Sequence, residues 1–145
     1  MNWDNISAGA FASLIAVAML EGVLLPLYRR WRLRTVKGTY NVYRKNGKAF
    51  QNNAGDINYV KVKVVGWFSV KVEIEGRDYD TDRRWNATAY FDVPNVHGYC
   101  YYAYGNEPDG GYMELFALDG GTWAAKTHPY HSNEVAIFHW KHQGK

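Results

Sequence analysis

The chain begins with one continuous apolar segment that contains a single charge. Residues 6–27 read ISAGAFASLIAVAMLEGVLLPL, in which only Glu21 is charged. A helix of this length, at about 1.5 Å per residue, covers roughly the 30 Å hydrocarbon core of a bilayer. The segment therefore predicts a transmembrane helix. The alternatives are a buried helix of a soluble protein and a signal peptide, although a signal peptide carries its positive charge before the apolar stretch.

From residue 38 onward the apolar period changes from that of a helix to that of a strand. Val60, Val62 and Val64 alternate with lysines, and similar runs rich in Val, Ile, Thr and aromatic residues follow one another between short turn signals. The pattern predicts eight strands, at residues 38–46, 57–65, 67–75, 84–92, 97–104, 111–118, 121–128 and 134–141.

Short connections between consecutive strands favour antiparallel neighbours. The fold class predicted is an all-β domain of about eight antiparallel strands, forming an up-and-down, lipocalin-like barrel, preceded by one N-terminal transmembrane helix. A flatter sandwich is the alternative. The aromatic content of 17% agrees with a β-rich domain, because rings pack well on pleated surfaces.

The charges that flank the apolar segment predict its orientation. Only Asp4 precedes the segment, whereas four arginines follow it within residues 29–34. Positive flanks stay in the cytoplasm, so the N-terminus is expected outside and residues 28–145 inside. The expected organisation is an external tail at 1–5, a span at 6–27, a basic stalk at 28–37 and a cytoplasmic barrel at 38–145. The membrane surface accounts for these cations, so no DNA or RNA partner is expected.

The sequence contains no clear motif for catalysis or for metal binding. No nucleophile or phosphate-loop motif is present, so neither an enzyme nor a cofactor is expected. Cys100 is the only cysteine and has no disulfide partner within the chain. The alternating Asp78, Asp80 and Asp82 lack the remaining ligands of a calcium loop. The histidine pairs, 128 with 131 and 139 with 142, point to opposite faces of a strand, so no metal site is expected.

Cations and aromatic residues occur together on the predicted strands. Guanidinium groups match phosphate oxygens and aromatic rings stack on nucleobases, so a cavity that combines them would suit a small phosphorylated nucleotide. The alternative is that these cations form the solvent face of amphipathic strands. The candidate ligand-binding residues are Tyr40, Arg44, Lys63, Trp67, Arg84, Tyr101 and Lys126.

The apolar segment contains features that are typical of helix association. Ala8, Ala12 and Ala16 form a row of small residues, which lets helices approach closely in lipid. An acid inside a membrane usually faces protein or water. Glu21 either extends toward Arg29 or lines an assembly of several copies. The candidate membrane and oligomerisation residues are Ala8, Ala12, Ala16, Glu21, Arg29 and Arg30.

The layout of the whole chain resembles one known family, the transmembrane β-barrel effectors of bacterial cyclic-oligonucleotide antiphage signalling systems. The local element of the resemblance is residues 36–43, VKGTYNVY, which look like a first barrel strand directly after the stalk. Family members commonly carry two spans, and this chain shows one. The resemblance implies that the barrel binds a cyclic di- or oligonucleotide, that binding drives homo-oligomerisation, and that the spans then disrupt the bacterial inner membrane. It assigns no site residue.

Two other functions remain open from the sequence. A membrane-tethered lipocalin-like module for a lipid or another apolar ligand predicts an interior of Val, Phe and Trp without buried arginine. A scaffold or assembly subunit predicts a barrel filled by side chains, with binding through exposed aromatic residues such as those of the strand at 99–104.

Overall fold

The computed structural model describes residues 3–51, 55–67, 70–78, 83–92, 97–105, 109–118 and 121–144. A helix occupies the N-terminal part and eight strands follow it. The elements are α1 (Trp3–Met19), a π-helical turn (Leu20–Leu24), α2 (Leu25–Leu33), β1 (Gly38–Arg44), β2 (Tyr59–Val65), β3 (Lys71–Asp78), β4 (Arg83–Asp92), β5 (His97–Ala103), β6 (Gly110–Ala117), β7 (Thr122–Pro129) and β8 (Ala136–His142).

The strands form a closed barrel in sequence order, and each is antiparallel to its neighbours. Closure is completed by β1 and β8, where Val42 lies opposite Trp140. The prediction of an eight-stranded antiparallel barrel after one apolar helix is confirmed. Closure leaves no strand edge among these elements to pair with another chain.

The third strand is the one that differs most from its predicted range of 67–75. It runs from Lys71 to Asp78, because Gly76 lies within the strand rather than in a turn. Gly76 is opposite Trp85 on β4, and a Cβ atom at this position would lie 2.2 Å from the indole ring. A residue without a side chain is therefore needed here so that the Trp85 ring can turn into the barrel.

The interior is made by every second residue of each strand. The inward positions on β2 and β3 include Val60, Val62, Val72 and Ile74, all nearly inaccessible to solvent. The core of the barrel continues through Ala87, Ala89, Cys100, Met113, Leu115, Trp123 and Ala125. Burial of these apolar side chains is the main contribution to stability.

The end of the barrel next to the helix is closed by large side chains. Leu33 and Val36, which follow the apolar segment, are buried against Tyr40 and Trp123 and leave a space of only about 10 Å³. The Tyr40 hydroxyl donates to the Val36 carbonyl oxygen at 2.6 Å. Burial raises the pKa of Tyr40 to about 12, although a hydrogen bond with Trp123 acts in the opposite direction. A ligand therefore has no entry at this end.

The helix does not pack along the barrel. Gly9–Leu33 is long and apolar enough to cross a membrane. Phe11 and Leu14 each expose 68% of their surface, so these side chains are not buried against the barrel. A helix of this kind near the N-terminus is either a membrane span or a signal sequence.

We expect Cys100 to be unreactive in the folded chain. Its side chain is fully buried, and burial raises the pKa of its thiol to about 12. Because the thiolate is the reactive form, the aromatic disulfide reagent DTNB at pH 8 should react about a thousandfold more slowly than with the unfolded chain. Stoichiometric labelling within minutes of mixing, without denaturant, would contradict this placement.

Candidate ligand-binding cavity

A cavity of about 280 Å³ occupies the barrel half that lies away from the helix. The described residues close the other end, so the cavity opens on this side. Its volume is at the lower limit of ordinary ligand pockets, so it accommodates one small ligand or one ring system of a larger ligand. Most of the lining is apolar or aromatic: Val42, Phe50, Val60, Trp85, Tyr102, Tyr104, Met113 and Phe138.

The connection from β1 to β2 folds back to build one side of the opening. The backbone N–H of Phe50 donates to the Val42 carbonyl at 3.0 Å, and the backbone N–H of Asn58 donates to the Phe50 carbonyl at 2.8 Å. Phe50 is thereby held between the diverging ends of the two strands, and its ring packs on Phe138 with centroids 5.4 Å apart. The hydrogen bonds place Phe50 and Asn58 together at the cavity.

Aromatic rings form the opposite wall. Trp85 and Tyr102 meet edge to face with centroids 5.9 Å apart, and Tyr102 meets Tyr104 in the same way at 6.0 Å. Burial, together with the neighbouring Tyr104 and Asp109, raises the pKa of Tyr102 to about 12. The hydroxyl therefore stays protonated at neutral pH and can donate a hydrogen bond. A planar ligand can pack against this wall.

Asn58 places an unsatisfied amide in the cavity wall. Only 4% of its surface is exposed, and its Oδ1 has no hydrogen-bond partner among the described residues. Leaving such a group unpaired costs about 1–3 kcal/mol, and a ligand that donates to it recovers this cost. Asn58 lies in the strand predicted at 57–65 but was not among the candidate residues, because these were chosen from the cations and aromatic residues.

Arginines lie beside the aromatic wall. Arg77 contributes to the cavity lining, and Arg83 on β4 donates to the Asp109 carboxylate at 2.8 Å. The Arg83 guanidinium also lies 4.1 Å from the centroid of the Tyr104 ring. Its hydrogen bond to Asp109 lowers the pKa of that carboxyl group. The cavity thus combines ring faces and an amide oxygen, with Arg77 among its lining residues and Arg83 beside its aromatic wall.

Four of the predicted ligand residues lie on the outer face of the barrel and do not line the cavity. Val62 and Trp85 point inward, so Lys63 and Arg84 beside them point outward. Lys63 forms an ion pair with Glu75 at 2.7 Å. The same alternation places two further candidates, Tyr101 and Lys126, outside the barrel.

The other three predicted residues lie at the two ends of the barrel. Tyr40 points inward but belongs to the closed end rather than to the cavity. Arg44 is exposed at the end of β1, with its guanidinium 5.2 Å from the centroid of the Phe50 ring. Trp67 lies in the β2–β3 turn and contacts the helix.

The contact between Trp67 and the helix depends on Pro26. In an α-helix the amide of residue 26 would donate to the carbonyl of Gly22, but proline has no N–H group. A π-helical turn precedes Pro26, and the Trp67 Nε1 donates to the Gly22 carbonyl at 3.2 Å. Arg30 reinforces the contact by donating to the Gly66 carbonyl and by lying 5.8 Å from the centroid of the Trp67 ring.

The remaining predicted membrane residues occupy the helix. Glu21 is exposed in the π-helical turn, and Ala12 and Ala16 are exposed in α1. Arg29 is exposed in α2. Ala8 belongs to α1, but its side chain lies outside the described part of the structure.

We expect replacement of Trp67 by phenylalanine to loosen the junction between helix and barrel. The ring remains, but the hydrogen bond to Gly22 is lost, which costs about 0.5–1.5 kcal/mol. Amide hydrogen exchange of residues 28–37 should become about two- to tenfold faster. In a Pro26→Ala background the helix supplies its own donor to Gly22, so the same substitution should have a smaller effect. An equal effect in both backgrounds would contradict this explanation.

Among the described residues, no three His, Cys, Asp or Glu side chains come together as a metal site requires. Asp80 and Asp82 lie outside the described part of the chain. Comparison of the sequence with protein-family models finds no match, and the same holds for curated proteins and for solved structures.

Proposed function

We propose that this protein is a membrane-anchored nucleotide sensor whose barrel binds a cyclic nucleotide through one base. The observation that carries the proposal is the amide oxygen of Asn58, which has no partner among the described residues and lies in a cavity walled by aromatic rings. An apolar ligand needs no hydrogen-bonding group in the cavity wall, whereas a nucleobase has both a ring face that can stack and a polar edge that can hydrogen-bond. The free Oδ1 atom can accept a hydrogen bond from an exocyclic amino group at a base edge, such as the N6 amino group of adenine.

The size of the cavity supports the entry of a single base. A volume of about 280 Å³ suits one ring system better than a complete cyclic dinucleotide. The sugar and phosphates would then stay at the opening, where Arg77 lies within the lining. Guanidinium groups bind phosphate oxygens with two parallel hydrogen bonds, which makes arginine suitable for this position.

The proposed output is assembly of the helix in the bacterial inner membrane, with the N-terminus outside and the barrel in the cytoplasm. The arginines of α2 support this orientation. Ala8, Ala12, Ala16 and Glu21 would then face other copies within the bilayer. Binding shifts such an equilibrium only if the ligand prefers the assembled state. Disruption of the membrane by assembled helices is the antiphage effect that we propose.

A second candidate is binding of a lipid or another apolar small ligand. It is favoured by the large apolar share of the lining, to which Val42, Val60 and Met113 contribute. In this case the ligand would fill the cavity without using the Asn58 amide. The two candidates differ in whether the bound molecule carries a polar edge and phosphate groups.

Thermal melting of the full chain in detergent micelles tests the sensor function. A panel of cyclic di- and trinucleotides is compared with the corresponding linear mononucleotides. A nucleotide at a hundredfold its Kd should stabilise the fold by about 2.7 kcal/mol, which raises Tm by several degrees. No shift with any nucleotide, together with a lipid that co-purifies with the chain and is displaced by substitution of Met113, would favour the second candidate.

A further inference from the structure

The outer wall of the barrel carries two chemically different faces. The first, called the tyrosine face, is formed on β4, β5 and β6 by Tyr90, Tyr99, Tyr101, Tyr112 and Phe116. The second, called the lysine face, is formed on β8, β1 and β2 by Tyr43, Tyr59, Lys61 and Lys141. In a closed barrel of eight strands β5 is as far from β1 as possible, so the two faces point in opposite directions.

The tyrosine face is an exposed aromatic surface in which one acid, Glu114, lies between Tyr112 and Phe116 on β6. Tyr90, Tyr99 and Tyr101 expose 49%, 48% and 64% of their surface. Tyr90 and Tyr99 stack across the strands with ring centroids 5.9 Å apart, and Tyr101 lies 5.6 Å from Tyr112. Exposed aromatic surface of this kind is typical of protein contacts.

On the lysine face, two ammonium groups lie over tyrosine rings, and Glu75, which is opposite Lys61 on β3, attracts the Lys61 ammonium electrostatically. The Lys141 ammonium is 4.8 Å from the centroid of the Tyr43 ring, and that of Lys61 is 5.6 Å from the centroid of Tyr59. Among the described residues, neither lysine has a carboxylate within ion-pair distance. Both ammonium groups are exposed and can contact further rings.

We propose that the tyrosine face of one copy binds the lysine face of the next copy. Aromatic rings attract ammonium ions through their negative faces, so the two surfaces are complementary. Because the faces point in opposite directions, the contact is head-to-tail and repeats from copy to copy. Copies anchored by the same helix share one orientation, so the row would grow in the plane of the membrane without nucleotide. Its helices would lie one barrel width apart, so the direct helix contact proposed as the output would still require nucleotide.

Confinement to the membrane supports assembly through this modest surface. Anchoring raises the effective concentration of the faces without adding any contact. This inference rests on the proposed membrane anchor but not on nucleotide binding, because Tyr99, Tyr101, Lys61 and Lys141 do not line the cavity. The two are therefore distinguishable: loss of nucleotide binding leaves this contact intact, and loss of this contact leaves nucleotide binding intact.

Two variants of the full chain test the contact separately. Tyr99→Lys with Tyr101→Lys removes the tyrosine face, and Lys61→Glu with Lys141→Glu removes the lysine face. All four positions point outward, so both variants should melt within a few degrees of the wild type. Each variant has a matched control at residues that belong to neither face. Tyr130→Lys is the control for the tyrosine-face variant, and Lys45→Glu with Lys48→Glu is the control for the lysine-face variant.

Photobleaching steps of chains carrying a C-terminal fluorophore count the copies in supported bilayers. The wild type and both controls should show three or more steps, and each face variant alone should show one. An equal mixture of the two face variants should show two steps and no more, because each retains the face that the other lacks. Assembly of the lysine-face variant alone would instead indicate a tyrosine-to-tyrosine contact and overturn the inference. Single steps in the mixture or in the wild type would also overturn it.

Discussion

Replacement of Trp123 by alanine is expected to lower the free energy of unfolding by about 3–5 kcal/mol, because a large buried ring is deleted from a closely packed interior. Trp123 exposes 6% of its surface and packs at a right angle on Phe91, with ring centroids 5.5 Å apart. It also lies beside Tyr40 in the closed end of the barrel. The surrounding side chains leave about 10 Å³ of space, so the deleted ring creates a new cavity.

Thermal unfolding of the full chain in micelles measures this effect, and Tm should fall by roughly 12 °C or more. The matched control is Tyr101→Ala, which removes an aromatic ring from the outer face. Tyr101 is 64% exposed, so its loss should cost less than about 1 kcal/mol. Equal shifts in Tm for the two substitutions would contradict the inward assignment of Trp123.

Replacement of Asn58 by leucine is expected to weaken nucleotide binding while stabilising the free protein. The leucine removes a buried amide oxygen that lacks a partner among the described residues, so the stability of the ligand-free chain should rise by about 1 kcal/mol. The same change removes the group that would recognise the base edge. Binding should become weaker by about 10- to 100-fold, because an unpaired polar group is left on the ligand.

The two effects can be measured on the same samples by denaturant unfolding and by titration calorimetry. Asn86→Leu is the matched control, since Asn86 is exposed on the outer face of β4. It should change neither binding nor stability by more than about 0.5 kcal/mol. If the Asn58→Leu variant binds nucleotide as tightly as the wild type, Asn58 is not part of the binding site.

The fold could be predicted because the apolar pattern carries the information that a barrel requires. Alternation such as Val60, Val62 and Val64 is enough to identify strands and their inner faces. Short connections then make sequential antiparallel pairing the simplest topology. The exception was Gly76, which resembles a turn residue although its role is to make room for Trp85.

The candidate site was harder to predict because the candidates were chosen by residue type and not by whether each position points into or out of the barrel. Lys63 lies between two inward valines, so the same alternation that identified the strand also placed this cation outside. Asn58 has the same parity as Val60 and Val62, so the same alternation already placed it on the inner face. The hydrogen bond between its backbone N–H and the Phe50 carbonyl, which brings Phe50 beside it, could not be predicted from the local sequence.

The contact of Trp67 with the helix could not be predicted from the sequence either. An aromatic residue in a turn is compatible with ligand stacking, and nothing nearby in the sequence indicates a helix contact. Its partner is the carbonyl of Gly22, which lacks its usual donor because of Pro26. The two parts of this contact are 45 residues apart in the chain.

Photo-crosslinking of an azido-substituted cyclic dinucleotide to the full chain, followed by peptide mapping, tests the central claim most directly. If one base enters the cavity, the crosslinks should map to the β4 and β5 peptides that contain Trp85 and Tyr102, and unlabelled nucleotide should compete with them. The Asn58→Leu substitution should reduce the yield. Crosslinks confined to outward residues such as Tyr101, or no competable crosslink at all, would contradict a nucleotide site inside the barrel.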